Sequence, residues 1–157
     1  MQSNFQIVAA PLEDFAHLFS LSDADLAARG ARRMTVDANP GYPCRVSLQD
    51  AEKGEQVILT PFKHHAVDSP YQASGPVFVR EAAQTAKLQV NEIPLMVHHR
   101  LLSIRAYDRS AMMVGAKVVA GQELAENLRR FFDNEKVAYL HLHNAGPGCF
   151  NCLVQRA

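Results

Sequence analysis

The stretch VAYLHLHNAGPGCFNCLV, residues 137–154, carries a strand, turn and strand pattern near the end of the chain. Residues 144–148 hold two glycines and a proline, which is typical of a turn, and apolar residues flank them on both sides. Because successive side chains of a strand point to opposite faces, His141 and His143 share one face and the leucines beside them occupy the other. We therefore expect two closing strands whose leucines enter the core.

Elsewhere in the chain, three segments have helical apolar spacing, and the rest of the regular structure is strand-like. The helical segments are residues 12–19, 23–29 and 124–131. The other strand-like segments are residues 5–9, 31–36, 44–48, 56–63, 77–79, 87–90, 101–107 and 112–119. Helices do not alternate regularly with strands, which disfavours a doubly wound parallel sheet. The pattern predicts one α+β domain, residues 1–157, whose largely antiparallel sheet carries two N-terminal helices and one C-terminal helix.

Length and charge limit the classes of function. A chain of 157 residues with 48% hydrophobic residues is about one globular domain long. Its 16 basic and 16 acidic residues balance, so we expect no nucleic-acid partner, which would need a basic excess. The apolar runs are too short for a membrane span, and the first ten residues do not resemble a signal peptide. We expect a cytoplasmic protein that has no membrane partner.

Three cysteines and seven histidines raise the question of a metal. An odd number of cysteines favours free thiols, and a redox-active disulfide between Cys149 and Cys152 is the alternative. Cys149 and Cys152 lie three apart in an extended segment, so their sulfurs should point to opposite faces and could not share a zinc ion. Each local spacing supplies at most two ligands on one face, whereas zinc needs three or four. The sequence predicts no cofactor and no tightly bound structural metal.

The pair His141 and His143 leaves three interpretations open. The one most typical of such a pattern is the polar outer face of a half-buried strand. Metal chelation would need a third ligand, which His64 or His65 could supply only if the fold placed one of them nearby. Acid/base or substrate contacts are the third interpretation, because histidine titrates near neutral pH.

A second polar segment, residues 69–80, begins within an expected loop over residues 64–76. Tyr71, Ser74 and Arg80 offer a phenol, a hydroxyl and a guanidinium beside the flexible backbone of a glycine. Such a group can hold an anion or a carbonyl oxygen. The alternative is a rigid connecting loop that is held by its own hydroxyl groups.

Several longer motifs carry a family resemblance. They are CRVSLQDA at residues 44–51, Gly54 with Glu55, SPYQASGPVFVRE at residues 69–81 and HNAGPGCF at residues 143–150. With these motifs the chain resembles family 1203 of the bacterial domains of unknown function. The resemblance runs through most of the chain and implies a bacterial single-domain protein. It transfers no activity, cofactor or catalytic residue.

Two functions from different classes follow as expectations. The first is binding of a small polar or anionic molecule, with or without enzymatic turnover, between the loop at residues 69–76 and the turn at residues 143–149. In it Tyr71, Ser74 and Arg80 would recognise the ligand, and His141, His143 and Asn144 would make polar or acid/base contacts. The alternative is a non-catalytic interaction protein that forms a homodimer.

Overall fold

The computed structural model describes residues 2–157, which form two antiparallel sheets and three α-helices. The strands are β1 (Phe5–Val8), β2 (Arg32–Thr35), β3 (Gln56–His65), β4 (Ala73–Arg80), β5 (Leu101–Tyr107), β6 (Met113–Ala120), β7 (Tyr139–Asn144) and β8 (Phe150–Arg156). The helices are α1 (Asp23–Ala28), α2 (Leu95–His98) and α3 (Leu124–Phe132), and Leu12–Asp14, Ala16–Ser20 and Gly121–Glu123 are short 3₁₀ helices. The larger sheet has the order β1-β8-β7-β5-β6, and the smaller has the order β2-β3-β4.

Helix α3 covers one face of the five-stranded sheet. Leu124, Leu128 and Phe132 recur every four residues and are at most 1% exposed, since this spacing places them on one side of the helix. They share the main core with Leu140 and Leu142, the leucines that the strand pattern assigned to the interior. The chain enters this helix through Gly121, where a Cβ would lie 2.0 Å from the carbonyl oxygen of Val97. Only glycine fits that approach.

The three-stranded sheet lies over the opposite face of the larger sheet. Its own core contains Ile58, Val77 and Val79 and is separate from the main core. At the junction, the ring of Phe62 on β3 lies 6.1 Å from the ring of Phe150 on β8, centroid to centroid. The far end of β3 is thereby placed against β7 and β8.

The predicted α+β class with antiparallel pairing is confirmed, and individual elements differ from the prediction. Residues 12–19 form two 3₁₀ helices instead of one α-helix. Residues 44–48 form a turn, because Leu48 donates to the carbonyl of Cys44 and has a φ of +52°, outside the strand region. Of residues 87–90 only Lys87 makes a bridge, and the expected loop at residues 64–76 shortens to 66–72. The short helix α2, which follows Pro94, was not predicted.

Candidate functional site

Strand β7 places its two histidines on the face of the sheet that the smaller sheet covers. His141 is 3% exposed and His143 is 1% exposed. The interpretation of a polar outer face was therefore wrong, because a single strand pattern does not show that a second sheet packs on that face. The cross-strand partners of His141 and His143 on β5 are Arg105 and Ser103, which share their face of the sheet.

The end of β3 brings two more histidines to the same place. The ring of His64 stacks on Phe150 at 4.9 Å and lies 5.2 Å from His143 and 6.0 Å from His141, measured between ring centroids. The ring of His65 lies 4.7 Å from that of His141. Residues separated by more than 70 positions in the chain thus form one group, which we call the histidine cluster: His64, His65, His141 and His143.

Hydrogen bonds fix which ring nitrogen of His65 carries the proton. Its Nδ1 lies 2.7 Å from the carbonyl oxygen of Tyr71, which can only accept, so Nδ1 carries a proton and donates. In the neutral ring, Nε2 then accepts from the hydroxyl of Tyr139, also at 2.7 Å. Burial raises the pKa of Tyr139, which keeps that phenol protonated as the donor. His65 is therefore held on both sides and has no free nitrogen.

The other three histidines each have a buried ring nitrogen without a partner among residues 2–157. These nitrogens are Nδ1 of His64, Nδ1 of His141 and Nε2 of His143. For His143 the proton position is fixed, because Nδ1 donates to the carbonyl oxygen of Gly148 at 2.9 Å and leaves a lone pair on Nε2.

These rings are uncharged at neutral pH. Burial lowers the pKa of His141 to about 3 and that of His143 to about 4, and it also lowers the pKa of His64. The neighbouring histidines and Arg105 act in the same direction on His141. At neutral pH these three rings therefore offer uncharged hydrogen-bonding nitrogens and not cations, and Nε2 of His143 is fixed as an acceptor.

Arg105 supplies positive charge beside the cluster. It lies on β5 directly opposite His141 and is half-buried. It forms no salt bridge with any carboxylate in the described part of the chain. Its charge lowers the pKa of His64, His141 and His143. Sequence reasoning did not name Arg105, although the alternation of Ser103, Arg105 and Tyr107 on β5 could have placed all three on one polar face.

Asn144 and Cys149 belong to the turn that closes β7 and β8. Asn144 accepts at Oδ1 from Asn151 at 2.9 Å, and its Nδ2 lies 3.4 Å from the sulfur of Cys149. Arg45, which is 1% exposed, directs Nη2 to the same sulfur at 3.1 Å and Nε to the carbonyl oxygen of Phe150 at 2.7 Å. These contacts fix the turn and thereby position His143, which precedes it.

The sequence-predicted site residues do not all meet. Tyr71 lies at the edge of the cluster, where its ring is 5.9 Å from that of Tyr107, and Tyr107 in turn contacts His141. Ser74 is exposed on β4. Arg80 lies six residues further along the same strand, about 20 Å away at the usual rise per residue. The structure thus gathers Tyr71, His141 and His143 with Asn144 beside them, and it separates Arg80.

A comparison with protein families matches residues 41–156 to the family described as Protein of unknown function (DUF1203). The chain belongs to this family. The matched range contains the whole histidine cluster, Arg105 and the turn at Cys149. No curated protein and no solved structure matches this DUF1203 chain.

Arg80 lines a separate cleft of about 860 Å³ in this DUF1203 protein, which we call the Arg80 cleft. Its Nε and Nη2 bind Oε1 of Glu55 at 3.0 and 2.8 Å, and its Nη1 binds Oε1 of Gln49 at 3.0 Å. The guanidinium is therefore occupied by internal partners. The cleft is lined by Asn39, Pro40, Ser47, Leu48, Gln49, Asp50, Glu52, Arg80, Leu88, Glu92, Pro94, Leu95, Met96 and His99.

Neither a metal-binding cluster nor a membrane-spanning helix is found among residues 2–157. In this range no three His, Cys, Asp or Glu side chains are arranged to hold a metal ion. All three cysteines are free, and Cys152 lies in the main core whereas Cys149 lies at the turn. No helix in the same range is long and apolar enough to cross a membrane. The absence of a bound metal stays a prediction, which elemental analysis of the purified protein would test.

Proposed function

We propose that the protein binds a small anionic molecule that also carries hydroxyl groups, at the histidine cluster beside Arg105. The observation that supports this is the combination of three buried ring nitrogens without partners and a guanidinium without a carboxylate. A buried polar atom that has no hydrogen bond costs about 1–3 kcal/mol, so a group that satisfies several of them at once binds favourably. Tyr71 would lie at the rim of this site.

The two kinds of group select different parts of one ligand. A guanidinium binds a carboxylate or phosphate, often through two parallel hydrogen bonds. A neutral imidazole nitrogen with a lone pair, such as Nε2 of His143, accepts a hydrogen bond from a hydroxyl group. Hydroxy acids and hydrogen phosphate combine an anionic group with an O–H donor, and they therefore fit both.

Binding without turnover is the simpler form of this proposal. A general base works best when its pKa lies near the working pH. Burial lowers the pKa of His141 to about 3 and that of His143 to about 4, so both are weak bases at pH 7. Bound substrate would have to raise these pKa values before either ring could remove a proton efficiently.

Thermal shift with paired ligands tests the site. We expect lactate, glycerate and phosphate to raise the melting temperature, and propionate, which lacks the hydroxyl group of lactate, to raise it less. Arg105→Gln should abolish the shift, whereas Arg109→Gln, an exposed arginine in the following turn, should leave it unchanged. Equal stabilisation of the wild type and Arg105→Gln, or of lactate and propionate, would contradict the proposal.

A homodimer is the second candidate function, and one feature of β6 favours it. This strand is at the edge of the five-stranded sheet, and its residues Val114 and Val118 are 43% and 56% exposed. Exposed apolar edge strands pair readily with a second copy. Light scattering should show a dimer that Val118→Lys converts to a monomer, and a monomeric wild type at high concentration would exclude this alternative.

Cytoplasmic location and bacterial origin stay predictions.

A further inference from the structure

The Arg80 cleft is large enough for a small molecule and lies apart from the histidine cluster. Ligand sites usually enclose about 300–1,000 Å³, and this cleft encloses about 860 Å³. One wall comes from residues 39–52 with Arg80, and the other comes from residues 88–99 around helix α2.

The buried charges in its walls already have partners. Arg80 is occupied by Glu55 and Gln49. Asp50 is bound through both oxygens by Arg100, with Oδ1 2.5 Å from Nη2 and Oδ2 2.9 Å from Nη1. Neither wall charge is free to neutralise a ligand of the opposite sign.

The charge that remains is negative and lies at the rim. The lining residues of the cleft include three carboxylates, those of Asp50, Glu52 and Glu92, and one guanidinium, that of Arg80. The lining therefore has a formal charge of −2 when His99 is neutral. The partners of Asp50 and Arg80 outside the lining, Arg100 and Glu55, cancel each other, so they do not change this value. Glu52 and Glu92 are exposed and form no salt bridge among residues 2–157.

The floor of the cleft is apolar. Leu48 and Met96 are 2% and 3% exposed, and they belong to the main core. Leu95 is 80% exposed at the start of α2, more than any other large hydrophobic residue described here. An apolar side chain of that size in water beside a cleft gains free energy when a ligand covers it.

We propose that the Arg80 cleft is a second binding site, and that it takes a small amphipathic amine. The ammonium group would lie between the carboxylates of Glu52 and Glu92, and the apolar part would cover Leu95 and Met96. Charge complementarity favours an amine over an acid with the same apolar part. The acid would be repelled by the carboxylates of Glu52 and Glu92, and the guanidinium of Arg80 could not bind it because Glu55 and Gln49 already do.

Calorimetric titration with three probes of equal chain length tests this inference on the full-length protein. Hexylamine should bind up to about fivefold more tightly than hexanol, and hexanoate should bind most weakly, since an exposed ion pair changes affinity by up to about fivefold. The double variant Glu52→Gln, Glu92→Gln should remove the preference for the amine. Glu13→Gln, an exposed acid far along the chain, is the matched control and should retain it.

Two further measurements separate the outcomes. Leu95→Ser should weaken hexylamine and hexanol in parallel, because both would cover that side chain. Arg105→Gln should leave hexylamine binding unchanged, because Arg105 does not line the Arg80 cleft. Binding at the cleft is therefore tested separately from binding at the histidine cluster. Absence of hexylamine binding up to its solubility limit, hexanoate binding as tight as hexylamine binding, or an amine preference that survives the double variant would each overturn the inference.

Discussion

The histidine cluster and the Arg80 cleft hold their polar groups in opposite ways. In the cluster, burial keeps His64, His141 and His143 neutral, one ring nitrogen of each has no partner, and the neighbouring cation Arg105 forms no salt bridge with an acid among residues 2–157. In the cleft, the buried charges of Arg80 and Asp50 are paired, and the unpaired charge lies on exposed glutamates. A ligand at the cluster would satisfy buried atoms, whereas a ligand at the cleft would neutralise surface charge.

This difference shows why residues 69–80 predicted one site where the structure has two regions. Tyr71 at one end of the segment contributes to the rim of the cluster, and Arg80 at the other end contributes to the cleft. An extended strand separates its two ends by about 3.3 Å per residue, so neighbours in a motif need not be neighbours in a site.

Loss of a buried charge pair in the Arg80 cleft should destabilise the protein more than any other change proposed here. Asp50→Asn leaves the guanidinium of Arg100 without its carboxylate, and both side chains are largely buried, at 9% and 14% exposed. Removal of one partner of a buried pair costs about 3–5 kcal/mol, and we expect a loss in unfolding free energy near the lower end of that range. Urea unfolding measures it. The rim variant Glu52→Gln is the control and should change stability by less than about 0.5 kcal/mol.

Acid sensitivity should come from the cluster. An unfolded histidine has a pKa of about 6.5, and burial lowers the folded pKa of His143 to about 4 and that of His141 to about 3. The unfolded state therefore binds more protons below pH 6.5, and the stability that these rings retain above that pH is lost as the pH falls toward their folded pKa values. Between pH 6.5 and 5 we expect a loss of roughly 1–2 kcal/mol per histidine.

Carboxylates also destabilise proteins in acid, so the contribution of the histidines needs a difference measurement. The unfolding free energy of the double variant His141→Gln, His143→Gln should change less between pH 6.5 and 5 than that of the wild type, because Gln does not titrate. Parallel pH profiles for the two proteins would show that the histidines are protonated alike in the folded and unfolded states.

Much of the fold could be predicted, because its determinants are local. The spacing of Leu124, Leu128 and the residues after them predicted α3, and the alternation around the turn at residues 144–148 predicted β7 and β8. The segment at residues 44–48 alternates equally well and is nevertheless a turn, since a bridge to β4 and the positive φ of Leu48 override its pattern. Division of the strands into two sheets is a long-range property that no local pattern carries.

The features of the histidine cluster that depend on one strand could also be predicted, whereas those that depend on packing between distant segments could not. One strand was enough to place His141 and His143 on one face. Their burial, and their contact with His64 and His65, depend on the packing of β3 across β7, which joins residues more than 70 positions apart. Arg105 could have been placed beside them only if β5 and β7 had been paired in the correct register.

The last prediction concerns the difference between partnered and unpartnered ring nitrogens within the histidine cluster. Replacement of a buried polar group that has no partner by an apolar group of similar size is neutral or stabilising. His141→Leu removes the unpartnered Nδ1, which stabilises the folded state, and it also removes the edge contacts with Tyr107 and Phe150, which costs part of that gain. We expect a net stabilisation of about 1 kcal/mol at pH 7 without ligand. His65→Leu is the matched variant, and it should destabilise because it leaves the hydroxyl of Tyr139 and the carbonyl of Tyr71 without a partner. Urea unfolding of both variants measures the difference. If His141→Leu were as destabilising as His65→Leu, the Nδ1 of His141 would be satisfied in solution, and the cluster would offer a ligand fewer free ring nitrogens than we propose.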